Sequence, residues 1–209
     1  EVDVPADLMR MVPRFLRRHD WQGTAVLAED RLIAIETGDT TSEIYGVAFD
    51  LGTTTVVGTL FDLATGKERA VASRMNGQIA HGDDVISRIH AVRENPADLL
   101  RLQEAILGTV NDILDALLSK AGIPAAAIYE IVFAGNSTMQ QILAGLDPSA
   151  LGEVPFVQVF DKATTLPANR LGLRANAAAE VYLFPQVGGF VGGDTVAGMV
   201  AARLDRRDR

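Results

Sequence analysis

Cysteine is absent from the 209 residues, which excludes disulfides, zinc–thiolate sites and cysteine-ligated iron–sulfur clusters within this chain. No apolar run reaches the roughly 18 residues a membrane span needs and no signal peptide opens the chain, so no membrane partner is expected and the reading points to the cytoplasm. Basic charge is also scarce. Lys and Arg number 19 against 27 Asp and Glu, a net charge of −8, and no basic run occurs before Arg203–Arg209. A nucleic-acid partner is therefore not expected; that tail alternates Arg with Asp and reads as a solvated helix end. What the chain does have is apolar residues, 48% of the total, enough for a real core in one domain or one domain plus a fragment. Residue 1 is Glu and the last residues are charged, so both ends read as cuts in a longer protein.

The chain is organised around Tyr45–Leu63, YGVAFDLGTTTVVGTLFDL. Tyr45–Phe49 and Val56–Phe61 are rich in β-branched and aromatic residues and read as strands. The connection Asp50-Leu51-Gly52-Thr53-Thr54-Thr55 is too short for anything but a tight hairpin. Gly52 lets the backbone turn, or lets it approach a ligand closely. The threonines offer hydroxyls and backbone N–H groups that suit a phosphate. Asp50, at the strand end, can hold a hydrated Mg²⁺, a hard cation that prefers oxygen ligands. The same six residues also suit an ordinary hairpin whose threonines follow β-propensity.

Upstream, residues 1–43 read as the end of a preceding domain. Leu8, Met9, Val12, Phe15 and Leu16 recur at helical spacing; Thr24–Leu27 and Arg31–Glu36 form a hairpin, and Gly38-Asp39-Thr40-Thr41 a linker. His19 beside Trp21 reads as a loop or packing pair. Downstream, Ala64–Lys67 is a turn and Glu68–Met75 a third strand, completing a meander. Asn76-Gly77-Gln78 is a polar turn, and His81-Gly82-Asp83-Asp84 precedes a helix. Asp83 and Asp84 suit capping of that helix; catalysis is the competing role. Asn95-Pro96 opens another helix whose Leu99, Leu102, Ile106, Val110, Ile113 and Leu117 step along one face, ended by Gly122 and Pro124. Ile128–Phe133 is a fourth strand, read as buried on both faces. It runs into Ala134-Gly135-Asn136-Ser137-Thr138, a polar turn opening a helix, where open α/β sheets bind ligands. Asn136 and Ser137 suit both a cap and a binding role. Residues 147–178 read as a loop-rich insertion in which Val154–Phe160 adds a strand. Ala179–Phe184 is a fifth core strand, followed by Gly188–Thr195 and a last helix. Gly188 and Gly193 have P-loop spacing, but Asp194 stands where a P-loop needs Lys and would repel phosphate. Those glycines are instead expected to let a helix and strand pack closely against another lobe.

Strand, strand, strand, helix, strand, helix, strand, helix, with a phosphate-type hairpin between the first two strands, resembles the first lobe of the acetate and sugar kinase, heat-shock chaperone and actin superfamily. The implied fold is an α/β lobe of ribonuclease-H-like, actin-like type. It would have a mixed five-stranded sheet over residues 44–209, with a small α+β remnant before it that resembles the end of a middle or linker domain, and a second lobe missing. More narrowly, YGVAFDLGTTTVVG, GDDVISRI, AGNSTMQQILAG and GGFVGGDTVAGM resemble the reductive activators of corrinoid proteins. That resemblance implies ATP-dependent reduction of Co(II) to Co(I) in a corrinoid methyltransferase. ATP and Mg²⁺ would be cofactors here, with a [2Fe–2S] cluster in an amino-terminal domain outside this chain. Its partners would be a corrinoid protein or methyltransferase and an electron donor, with a homodimer as a further candidate. Gly52, Thr53, Thr54 and Thr55 would cradle phosphates, and Asp50 would hold Mg²⁺ through water. Asn136 and Asp194 would face the cleft, Ser137 would join Asn136 in binding the cofactor, and Asp194 would orient a hydrolytic water. The isolated chain would bind ATP weakly, half the cleft being absent. Two rivals are a sugar or carboxylate kinase on the same scaffold, with Asp83 or Asp84 as base, and a non-catalytic interaction module.

Overall fold

The computed structural model describes residues 1–204. It opens with α1 (Ala6–Arg18) and the antiparallel hairpin β1 (Thr24–Ala28) and β2 (Arg31–Glu36). His19 closes α1 and its ring lies 4.5 Å from that of Phe15, whereas Trp21 is exposed. The expected His19–Trp21 pair is therefore replaced by Phe15–His19, one helical turn apart.

A meander follows: β3 (Tyr45–Leu51), β4 (Thr55–Asp62) and β5 (Lys67–Met75), each antiparallel to the next. After a 3₁₀ turn (Gly77–His81) come α2 (Val85–Glu94) and α3 (Asp98–Ala121). Both helices read between the third and fourth strands of the sheet are thus present, one more than the superfamily order has there. Helix α3 starts later than Asn95-Pro96 predicts, because the Asn95 N–H still closes α2 on the Ala91 carbonyl. Next are β6 (Ile128–Gly135), α4 (Ser137–Leu143), β7 (Thr164–Pro167), β8 (Glu180–Leu183) and α5 (Gly193–Ala201).

The sheet has six strands in the order β5-β4-β3-β6-β8-β7, with β3, β6 and β8 parallel and β7 antiparallel at the edge. The predicted five-stranded sheet is corrected by β7. Val154–Phe160 forms no strand: Thr164–Pro167 takes the free edge of β8, and Val154, Val157 and Val159 are left exposed. On one face, Val47, Phe49, Leu51, Val56 and Leu60 meet Ile106, Val110, Ile113 and Leu117 of α3. Phe49 stacks on Phe133 at 4.9 Å. A Cβ on Gly58 would sit 2.7 Å from Ile113 Cγ2, so α3 lies directly on β4. Strand β6 is not buried on both faces. Ile131 and Phe133 point into the core, but Glu130 is exposed and Val132 half-buried, as the two-residue period of a strand requires. The amino-terminal element is fastened to the sheet by the Arg31–Glu180 ion pair and by Tyr129 Oη, which donates to Glu36 at 2.6 Å. Burial, and then the Glu36 carboxylate, pushes the Tyr129 phenol well above its usual range.

Candidate functional site

Strands β3 and β6 run parallel with Leu51 beside Gly135, so the hairpin turn after β3 and the turn after β6 emerge side by side. This is the carboxyl end of the parallel strands, where open α/β sheets bind ligands. Asp50 is exposed near the end of β3. Gly52 and Thr53 are half-buried, and Thr54 and Thr55 are exposed. Asn136 caps α4, its Oδ1 accepting from the Met139 N–H at 3.0 Å, while its Nδ2 donates to Thr53 Oγ1 at 3.4 Å. Capping and contact with the turn are thus both made by this one side chain. Ser137 is buried, and its hydroxyl donates to the Gly188 carbonyl at 3.1 Å, which anchors the glycine loop. Asp194 lies exposed in the first turn of α5, its Oδ1 accepting from the Thr195 N–H at 2.7 Å.

The turn is held from behind. Asn76 Nδ2 donates to the Gly52 carbonyl at 2.9 Å, Arg88 Nη2 to the Thr53 carbonyl at 2.8 Å, and the Asn76 N–H to the Thr54 carbonyl at 2.8 Å. Asn76 and Arg88 are both buried. In a planar trans peptide the C=O of one residue and the N–H of the next point opposite ways. Three carbonyls drawn inward therefore turn the N–H groups of Thr53, Thr54 and Thr55 outward. Among the described residues no backbone carbonyl accepts from the Thr53 or Thr54 N–H. Gly52 is required by close approach, since a Cβ there would lie 2.2 Å from the Thr55 carbonyl oxygen. Successive outward N–H groups, threonine hydroxyls and one exposed carboxylate form a donor set that fits a phosphate chain and its hydrated Mg²⁺.

Asn76, Gln78 and Arg88 were missed as site residues. Arg88 falls one residue before Ile89 and four before Val92, the buried positions of α2. A charge on that apolar stripe was the available signal. Asp84 caps α2 in a reciprocal box with Ser87, accepting from its N–H at 2.7 Å. That N–H and the Ser87 hydroxyl hold the Asp84 carboxyl below its usual range.

The glycine run 188–193 is packed against its own lobe. A Cβ on Gly192 would lie 2.6 Å from Asn136 Cα and from the Ser137 nitrogen, and one on Gly193 2.6 Å from Phe184 Cβ. At Gly192 a close approach is made within this lobe, to the backbone that opens α4. A cavity of about 890 Å³ lies elsewhere, between the β1–β2 hairpin and the starts of β6 and β8, and no predicted site residue lines it.

An actin-like α/β lobe with two turns side by side at the carboxyl ends of its parallel strands is the class that fold and site define. The chain belongs to the RACo family: the RACo middle region matches residues 45–207 and the RACo linker region residues 1–42. It is 38% identical over 185 residues to the corrinoid activation enzyme RamQ of Eubacterium limosum, covering 88% of this chain and 31% of that protein. A solved structure of a reductive activator for corrinoid, iron-sulfur protein matches with a TM-score of 0.94 at 31% identity. That match covers 100% of this chain and 34% of the other. The chain thus spans about a third of the length of these relatives.

Proposed function

We propose that the full-length protein is an ATP-dependent reductive activator of a corrinoid protein. This chain would supply its first nucleotide-binding lobe, residues 44–209, after the end of a linker domain, residues 1–43. The observation that carries the reading is the turn whose three carbonyls are held inward. The corrinoid substrate rests on kinship with RamQ and with the reductive activator of a corrinoid, iron-sulfur protein.

On this reading the N–H groups and hydroxyls of Thr53, Thr54 and Thr55 take phosphate oxygens, and Gly52 allows the close approach. Asp50 holds Mg²⁺ through water. Asn136 fixes the Thr53 side chain, Ser137 holds the glycine loop behind it, and Asp194 orients a hydrolytic water. ATP held there would supply the free energy for the uphill reduction of Co(II) to Co(I). A [2Fe–2S] cluster in a domain outside this chain would pass the electron from a donor. Nucleotide must bind one arrangement of two lobes more tightly than the other, because a ligand with equal affinity for both shifts nothing.

The test is to mix the full-length protein with a Co(II) corrinoid protein and a reductant and to follow the cobalt spectrum with and without ATP. Co(I) should accumulate only with ATP. Phosphate transfer to a sugar or carboxylate with no cobalt reduction would make it a kinase, and absence of ATP binding would leave only an interaction module.

A further inference from the structure

A guanidinium wholly removed from water is costly unless it is paired, and the usual partner is a carboxylate. Arg88 is fully buried, yet among the described residues no carboxylate lies within ion-pair distance of it. Its bonds go to neutral acceptors. Nε donates to the Gly82 carbonyl at 3.1 Å, Nη1 to Gln78 Oε1 at 3.0 Å and Nη2 to the Thr53 carbonyl at 2.8 Å. Nη1 also lies 3.0 Å from the Met139 sulfur. Gln78 is itself fixed, its Nε2 donating to the Leu102 carbonyl at 2.9 Å and its N–H to Asn76 Oδ1 at 2.9 Å. Arg88 therefore stands at the end of a rigid chain that starts in α3 and ends on the middle carbonyl of the turn. Burial pulls its pKa down, and Asp84 and then Asp83 raise it from farther away. Arginine keeps its proton throughout.

We infer that Arg88 is the positioning residue of the phosphate cradle, fixing the Thr53–Thr54 peptide with its N–H outward and setting an unneutralised positive charge behind a bound phosphate. This rests on the proposed phosphate site at the turn and adds the group that builds it. The geometry is specific to a planar fork: one guanidinium reaches three oxygen acceptors on two segments, the 3₁₀ turn with its cap and the hairpin turn, which the single ammonium of lysine does not reproduce. It also gives the buried charge a reason, because a phosphate on the far side of the peptide adds counter-charge to that of the more distant Asp84 and Asp83, where no ion pair is made. Low local dielectric strengthens that attraction relative to water.

The experiment uses the full-length protein with MgATP as probe, comparing wild type, Arg88→Met, Arg88→Lys and Gly52→Ala by calorimetric titration and ATPase kinetics. Arg88→Met should raise both Kd and KM for ATP roughly tenfold or more, the scale of one charge-assisted hydrogen bond. Its kcat at saturating ATP should change by less than about threefold, as expected for binding lost equally from ground and transition states. Arg88→Lys keeps charge and most of the volume and should fall between; if Arg88→Met does not fold, the lysine variant decides. Should Gly52→Ala lose ATP while both Arg88 variants bind it like wild type, the Arg88 inference fails and the site stands. If Gly52→Ala binds ATP like wild type, the turn is not the phosphate site and both fall.

Discussion

Two short glycine-bearing segments meet at the same end of the sheet, and they are built in opposite ways. In the turn 52–55 the peptide carbonyls are drawn inward by Asn76 and Arg88, and the N–H groups are left facing out. In the run 188–193, Gly192 packs on the backbone of Asn136 and Ser137, and Gly193 on the side chains of Phe184 and Gln140. The second has P-loop spacing and the first has not. What turns peptide N–H groups outward is therefore the polar support behind them, and glycine content alone does not do so.

The sharpest break of that comparison is Asp50→Ala in the full-length protein. Mg-dependent ATP hydrolysis should fall by about two to three orders of magnitude, the scale of removing one preorganised electrostatic group. The thermal unfolding midpoint should barely move, because the side chain is exposed. Unchanged hydrolysis would remove the metal role. Gly52→Ala should come next. Its Cβ meets the Thr55 carbonyl, so the turn must shift, at about 1–3 kcal/mol of stability and roughly tenfold in ATP affinity. Chemical denaturation and calorimetric titration read the two separately.

Gly192→Ala should cost about the same 1–3 kcal/mol, since its Cβ runs into the Asn136 backbone. Its loss of ATP affinity should be smaller than that of Gly52→Ala; a larger loss would reverse the roles given to the two segments. The smallest effect belongs to Asp84→Ala, which should lower the thermal midpoint slightly and leave hydrolysis unchanged. The Asp84 carboxyl has a depressed folded-state pKa, held by the Ser87 N–H and hydroxyl. Its stabilisation is complete above the unfolded value of about 4 and is lost as pH falls through the lower folded value. Wild type and Asp84→Ala should therefore converge in midpoint at strongly acidic pH.

Much of this lobe was legible in the residue pattern, for identifiable reasons. The β3–β4 hairpin announces itself by β-branched runs on either side of Gly52, and α3 by Leu102, Ile106, Val110, Ile113 and Leu117 at steps of three and four. The strand β7 escaped because four residues that include Pro167 carry almost no period; the free edge of β8 selects them. The valines at 157 and 159 alternate like a strand but find no edge to pair with. At the site, Asp50, the threonines and Asn136 are visible as chemistry-bearing residues at element ends. Arg88, Asn76 and Gln78 were not, because their significance is tertiary: each acts on a carbonyl or amide far along the chain. An arginine inside an apolar helical stripe is the mark that such a support leaves in a sequence.

The most direct measurement is a crystal structure of the full-length protein soaked with Mg²⁺ and a non-hydrolysable ATP analogue. Phosphate oxygens should lie about 3 Å from the N–H nitrogens of Thr53, Thr54 and Thr55, with a magnesium water shared with Asp50. A nucleotide bound elsewhere, with this turn empty, would contradict the account.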